Sequence, residues 1–404
     1  MPVHLDALAT LSRRAGYPLA VYAATRAAGV LFTWLATREQ VAMPDARYPG
    51  YHSAVPTPAA PDYWTATTNW DGQWYRTVAE EGYPDVLPRT PDGQVVRSSW
   101  AFYPLYPMIV RAVMALSAGR YEVVAPVVST VLGAVAVVLL YRLVLASAEP
   151  FVAKATVAAF CCSMAAPILQ FAYPESLALL LVMTCLWCLR QARWGWLAVS
   201  ATLLALTRPL AAPLGAAVLL LAWVPWPGGP SRSTRERWRL TAVGVGIGAL
   251  SLLWPAVAAL RTGRLDAYVA TSKAWTPGLG TLLPGPGYLV SLAGPTGLLL
   301  FLAAAAVPVA LTMGRSAAAW GPQLRAWLLA YPLYLVTMTV PGTSYVRYLL
   351  LAGPLFWPFA SAVAPQAPTT RRVRSVGLSI ALVVGLALQV AWLSGSWRLM
   401  GFTP

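Results

Sequence analysis

Thr68-Asn69-Trp70-Asp71-Gly72-Gln73-Trp74-Tyr75, continued by Glu80-Glu81-Gly82-Tyr83-Pro84, is a polar, aromatic-rich stretch set between long apolar runs. Asp71 stands between Trp70 and Gly72, with more aromatics following. A carboxylate in such surroundings is expected to lose part of its water and to become a better base. The plainer account is an interfacial aromatic belt carrying an incidental acid. The chain on either side decides between the two.

That surrounding chain is too apolar for a soluble protein. Of 404 residues, 58% are hydrophobic and only 11% charged, and the mean hydropathy is +0.60. Apolar windows of about 18–22 residues recur, long enough to cross a bilayer as helices. The short alternating segments of a membrane β-barrel are absent. The composition therefore predicts an all-α polytopic membrane protein. The first apolar run lacks a small-residue cleavage site, so a cleavable signal peptide is not expected.

The net charge is +15. Nucleic-acid binding would need those charges clustered on a soluble face. Instead they lie in short loops between apolar runs, which is the positive-inside pattern, so no nucleic-acid partner is expected. Lys154 and Lys273 are the only lysines, a bias that points to a GC-rich bacterial genome and hence a bacterial plasma membrane. Cys161, Cys162, Cys185 and Cys188 fall in apolar runs. Cys185-x-x-Cys188 lacks a second ligand pair, and small packed side chains are the expectation. No His-Glu-x-x-His, Walker A or Gly-x-Ser-x-Gly pattern occurs, and no divalent metal site or bound cofactor is evident.

Charge parity orients the runs. Arg13 and Arg14 precede the first run, 18–36, which places the N-terminus in the cytoplasm and Asp71 outside. Run 102–117 is expected to lie in the outer interface without spanning, because only then do Arg142, Lys154, Arg190, Arg193, the 232–239 arginines and Arg371, Arg372 and Arg374 all fall inside. The register gives about eleven spans, with 153–171, 288–312 and 347–363 each read as one span. One integral-membrane domain is expected over 1–404, with a first extracytoplasmic loop at 37–121 that includes interfacial helices, and a transmembrane bundle at 123–397.

Three further polar sites share the outer side with Asp71 under this register. Glu175 follows Tyr173-Pro174, Arg208 lies between Thr207 and Pro209, and Arg347 lies in Ser344-Tyr345-Val346-Arg347-Tyr348. Ionisable groups at membrane depth usually face a cavity or a partner. A guanidinium near the outer leaflet suits a phosphate through its bidentate fork, whereas snorkelling to head groups is the alternative for each arginine alone.

Trp70-Asp71-Gly72-Gln73-Trp74-Tyr75, Val78-Ala79-Glu80-Glu81-Gly82-Tyr83 and Ala101-Phe102-Tyr103-Pro104-Leu105-Tyr106-Pro107 together resemble the first-loop signature of the PIG-V family of mannosyltransferases. Tyr173-Pro174-Glu175-Ser176-Leu177 and Thr207-Arg208 resemble later blocks of that family. Tyr103 replaces a Phe, Pro174 replaces a Thr, and a Pro-rich insert occupies 44–61. The resemblance implies a GT-C glycosyltransferase fold with a large first external loop, a polyprenyl-phosphate sugar as donor, typically of mannose, and inversion at the anomeric carbon. It implies Asp71 as general base, Glu175 as an orienting residue and Arg208 as a phosphate ligand; topology adds Arg347 to the last role. Trp70, Gln73, Trp74, Tyr75, Glu81, Tyr103, Tyr106, Tyr173 and Tyr345 are the accompanying candidates for substrate contact. The expected partners are the lipid-linked sugar donor, a cell-envelope glycolipid or glycan acceptor, and membrane lipids. A transporter or flippase of lipid-linked sugars is the competing reading; it predicts inverted repeats and broken helices at mid-membrane. A lipid-phosphate transferase of another kind would share the outer arginines.

Overall fold

The computed structural model describes residues 2–42, 56–275, 283–355 and 371–398, apart from single positions at 228, 230, 315, 316, 318, 319 and 343. The described chain is helical, with one isolated antiparallel bridge, Arg89 to Val95, and no strand. Most of the Pro-rich insert and the second half of run 347–363 lie outside the described residues.

α1 (Pro2–Thr37) leads into the first loop, where α2 (Tyr63–Thr67) and α3 (Asp71–Glu80) are short and polar. α4 (Leu105–Ser117) buries Tyr106, Pro107 and Val110 on one face and exposes Leu116 on another. Its 13 residues extend about 20 Å, short of the roughly 30 Å apolar thickness of a bilayer. It stops at Ala118, which takes a left-handed conformation.

α5 (Tyr121–Leu145), α6 (Pro150–Cys162) and α7 (Glu175–Arg190) form the centre of the apolar core. α8 (Trp194–Ala205) and α9 (Ala211–Trp223) are separated only by the Thr207-Arg208-Pro209 junction. α10 (Thr234–Ala249) packs tightly on α9: a Cβ added to Gly215 would sit 2.6 Å from the Gly244 carbonyl and 2.7 Å from the Gly248 nitrogen. Small residues facing each other in this way let helix backbones approach within the membrane. α11 (Leu253–Thr262) continues α10, and α12 (Ala267–Trp275) follows. α13 (Pro284–Ala293) folds back on α14 (Pro295–Met313) at Gly294, where φ is +56°. α15 (Pro322–Met338), α16 (Tyr345–Leu349) and α17 (Arg371–Leu393) complete the chain.

Among the described residues, five segments are long and apolar enough to cross a membrane: Ala15–Thr37, Tyr121–Leu145, Thr234–Thr262, Pro295–Met313 and Ser375–Ser396. The chain is thus a multi-pass membrane protein. Fewer helices are of spanning length than the register of about eleven supposed, and the reason is local. Run 153–171 breaks at Ser163, whose ψ is extended, and resumes as a 3-10 turn, Ala166–Gln170. Run 288–312 is divided by the Gly294 turn. Run 347–363 begins as one helical turn and passes into a 3-10 segment, Leu350–Leu355. Apolar composition does not report helical continuity in any of the three.

The two ends of the bundle differ in charge. At one end, Arg190 donates to the Ala146 carbonyl at 2.7 Å, Arg325 donates to the Pro227 carbonyl at 2.7 Å, and Arg142, Arg237 and Arg239 lie over Trp187, Trp223 and Trp194. The first loop closes the other end. Trp100, Tyr103, Leu87, Trp254, Ala258 and Ala267 form a second core that fastens this loop to α11 and α12. Asp85 pairs with Arg261 across the same junction at 2.9 Å.

Candidate active site

α3 starts abruptly because Trp70 is not helical. Its φ of +60° and ψ of −123° are rare for a residue with a side chain and store strain of the kind found at functional sites. Asp71 follows as the first helical residue, where a negative charge is favoured by the helix dipole. Three hydrogen bonds fix this entry to the bundle. Tyr173 Oη donates to the Asn69 carbonyl at 2.9 Å, Tyr121 Oη to the Gly72 carbonyl at 2.9 Å, and the Ala172 amide to the Thr67 carbonyl at 2.9 Å.

Asp71, Glu175, Arg208 and Arg347, distant in sequence, meet in one continuous ionic chain. Arg347 Nη2 donates to Asp71 Oδ2, and its Nε lies 3.5 Å from Glu175 Oε1. Arg208 Nη1 donates to the same Glu175 oxygen. Glu175 opens α7, and its side chain is 0% exposed; that of Arg347 is 3%, of Arg208 14% and of Asp71 28% exposed. Arg347 stacks over Tyr173 and Tyr348, at 5.1 and 5.0 Å, and Arg208 over Tyr348 at 4.7 Å. Burying four charges is tolerable only because they alternate in sign and touch. The match is incomplete, since Glu175 Oε2 and Arg347 Nη1 are buried without a hydrogen-bond partner, a feature that calls for an explanation in any native site.

A cavity of about 810 Å³ opens over this chain. Trp70, Asp71, Trp74 and Tyr75 form one wall, with Phe102 and Tyr103 beside them; Arg208, Tyr345, Arg347 and Tyr348 line it deeper in. Trp74 stacks on Phe102 at 5.6 Å and meets the edge of Trp275 at 5.3 Å. The Leu105 amide donates to the Leu206 carbonyl at 2.9 Å, which draws the Phe102–Pro104 turn up to the Arg208 junction. The far wall is built by α12, Pro284 and the segment after α15, with Tyr268, Val269, Ser272, Lys273, Trp275, Met338 and Val340.

Not every candidate from the sequence reaches this cavity. Trp70, Trp74, Tyr75, Tyr103 and Tyr345 line it with Asp71, Arg208 and Arg347. Tyr173 lies behind Arg347 as a support. Tyr106 is fully buried and bonds the Ala125 carbonyl and Ser129 Oγ, at 3.0 and 2.9 Å. Gln73 and Glu81 line a different cavity of about 290 Å³ together with Asn69, Arg76, Glu80 and Glu122. Helical periodicity accounts for Gln73, which with Arg76 and Glu80 turns away from the face that carries 71, 74 and 75, whereas Glu81 is the C-cap, at the far end of α3 from Asp71. Asp71 is partly withdrawn from water, as its aromatic neighbours suggested, but it is also ion-paired with Arg347, which its local sequence did not indicate.

The sequence reading missed Arg97, Tyr268, Ser272, Lys273, Trp275 and Tyr348. Arg97 Nε donates to the Ala274 carbonyl at 3.1 Å, and the guanidinium lies 5.2 Å above the Trp275 ring. Burial pulls its pKa below the usual arginine value. The one available signal was Lys273, one of two lysines in an arginine-rich chain, within a short polar interruption after an apolar run. Cys185 and Cys188 are buried in α7, and Cys185 Sγ bonds Ser200 Oγ at 3.2 Å.

No protein-family model and no curated protein matches the chain. Among solved structures, the chain is similar to an Archaeoglobus fulgidus oligosaccharyltransferase, crystallised with an acceptor peptide containing an NVT sequon tethered through a disulfide bond. The two share 13% identity with a TM-score of 0.48, over 94% of this chain and 55% of the other. The chain thus spans little more than half the length of that enzyme.

Proposed function

We propose that this protein is an inverting glycosyltransferase of the GT-C kind. It moves a hexose, mannose by the PIG-V resemblance, from a polyprenyl-phosphate donor to a hydroxyl of a cell-envelope glycolipid or glycan. In this reading the cavity faces the extracytoplasmic side of a bacterial plasma membrane, a placing supported by Arg142, Arg190, Arg237 and Arg239 at the opposite end of the bundle. The observation that carries this reading is the Asp71–Arg347–Glu175–Arg208 chain at the foot of a large, aromatic-walled cavity.

In this reading Asp71 keeps one carboxylate oxygen on Arg347 and turns the other to the acceptor. It takes the proton of the acceptor hydroxyl as that oxygen attacks the anomeric carbon. The bond from that carbon to the phosphate oxygen breaks, and its electron pair leaves with the lipid phosphate. Attack and departure on opposite faces invert the centre, so one carboxylate suffices where a retaining mechanism uses two. Glu175 does not touch substrate. It holds Arg347 and Arg208 in place, so that their remaining N–H groups meet the leaving oxygen without reorganisation. Trp74, Phe102 and Trp275 offer flat apolar faces to sugar rings or to the first units of a lipid.

The test is transfer of radiolabelled sugar from a polyprenyl-phosphate donor into lipid extract, with wild type and Asp71→Asn in nanodiscs. Wild type is expected to transfer; Asp71→Asn, equal in volume and expression, is expected to be slower by about 10²–10⁴-fold. A variant within about tenfold of wild type removes Asp71 from the chemistry. Movement of intact labelled lipid across the bilayer without transfer would favour a flippase.

A further inference from the structure

The ionic chain at the foot of the cavity is balanced in charge. Asp71 pairs with Arg347, and Glu175 with both arginines. A phosphate placed there finds N–H donors but no surplus of positive charge, and burying an uncompensated anion is costly. The surplus lies elsewhere on the same cavity. Arg97 and Lys273 line its upper wall, and among the described residues neither has a carboxylate within ion-pair distance. Arg97 is held in place by the Ala274 carbonyl and the Trp275 ring, through Nε and the flat face of the guanidinium, which leaves its terminal nitrogens for a ligand. Ser272 adds a hydroxyl next to Lys273.

We propose that Arg97 and Lys273, with Arg208 below them, form the phosphate site of a lipid phosphate. This deepens the glycosyltransferase reading and rests on it. The charge count fits the reaction. A sugar-phosphate-lipid donor is a diester with one negative charge. When the anomeric bond breaks, the leaving lipid phosphate is a monoester that carries up to two negative charges, so two unpaired cations match the product side and stabilise charge as it develops. The apolar residues beside them, Val269, Trp275, Pro284, Met338 and Val340, suit the hydrocarbon of a lipid better than a free phosphate ion. Lys273 and Arg97 differ from Arg208 and Arg347 in this respect: the latter pair are placed by protein carboxylates, and the former are left for a ligand.

The test uses radiolabelled decyl phosphate binding to the full-length protein in phosphatidylcholine nanodiscs, beside the sugar-transfer assay. Lys273→Ala and Arg97→Ala are each expected to raise the Kd about tenfold, the loss of one charge-assisted contact. Lys273→Arg is expected to stay near wild type. Lys273 is exposed, so its substitution leaves the fold intact and stands as a test even where Arg97→Ala disturbs the Ala274 carbonyl. Arg120→Ala, a cation outside the cavity, controls for long-range charge. Inorganic phosphate is expected to compete only weakly; competition equal to that of decyl phosphate would overturn the assignment to a lipid. Unchanged decyl phosphate affinity in Lys273→Ala and Arg97→Ala, with wild-type sugar transfer intact, would overturn this site and leave the glycosyltransferase standing. Absence of both transfer and decyl phosphate binding in wild type would remove the two together.

Discussion

Four arginines are buried or nearly so in the described bundle, and they fall into two kinds. Arg26 of α1 donates through Nη1 to the Ala166 carbonyl and through Nη2 to the Cys161 carbonyl, the latter at 3.1 Å. Arg325 of α15 donates to the carbonyls of Thr312 and Pro227, both at 2.7 Å. Neither touches a carboxylate. Each satisfies backbone oxygens left open where a helix ends or breaks, and such oxygens inside a bilayer must find a donor within the protein. Arg208 and Arg347 have the opposite habit: carboxylates hold them, and both open onto the cavity. Burial and charge are the same in both sets, so neither marks a functional arginine. The partner does. On the reading proposed above, a guanidinium set on carbonyls inside the bundle is scaffolding, and one held by a carboxylate beside open space has N–H groups within reach of a ligand.

Substitutions can break or sharpen that distinction. Arg347→Ala is expected to have the largest effect, since it leaves Asp71 without its cation and Glu175 with Arg208 alone. Removing one member of a buried ion pair costs about 3–5 kcal/mol, and transfer activity should vanish as well. Thermal unfolding in nanodiscs and sugar transfer report the two losses; a stable, active variant would mean that the ionic chain is incidental. Arg26→Met should act on stability alone. The orphaned Ala166 carbonyl costs about 1–3 kcal/mol, while the Cys161 carbonyl keeps the Gln389 amide at 3.1 Å. The melting midpoint should fall, with transfer per folded molecule unchanged. A selective fall in transfer would erase the line between the two kinds. Arg208→Lys is the smallest and the most discriminating change. Charge is kept but the fork is lost, so the donor concentration at half-maximal rate should rise several-fold, about 1 kcal/mol, with acceptor dependence unaltered. Free substitution by Lys would make Arg208 a head-group anchor.

The sequence made some of this legible and hid the rest for physical reasons. The Trp70–Tyr75 stretch stood out because polar and aromatic residues are conspicuous between apolar runs, and α3 indeed carries Asp71 into the cavity. Charge parity placed Glu175, Arg208 and Arg347 on the side of Asp71, and the four meet there. What parity could not show is that they pair with one another. Pairing depends on where Pro209 and the Ser163 break set the short helices, and an apolar run reads the same whether helical throughout or broken. Arg97 and Lys273 escaped notice because their meaning arises only when residues 97 and 273 are brought to one wall by the Trp100–Trp254 cluster. Gln73 and Glu81 were drawn in by proximity along the chain, but Gln73 faces the other side of α3 and Glu81 lies at its far end.

The pinning of the Asn69–Gly72 turn has a mechanical consequence. Tyr121, the first residue of α5, and Tyr173, in the turn just ahead of α7, grip the Asn69–Gly72 turn through its carbonyls. Asp71 is therefore anchored to the bundle, although it sits on the first loop. α12 is joined to the same loop through side chains: Tyr103 Oη on Tyr268 Oη at 3.1 Å, Arg97 on the Ala274 carbonyl, and the rings of Trp74 and Phe102 against Trp275. Asp71 thus takes its position from main-chain carbonyls held by the bundle, whereas α12 takes its own from side chains of the loop.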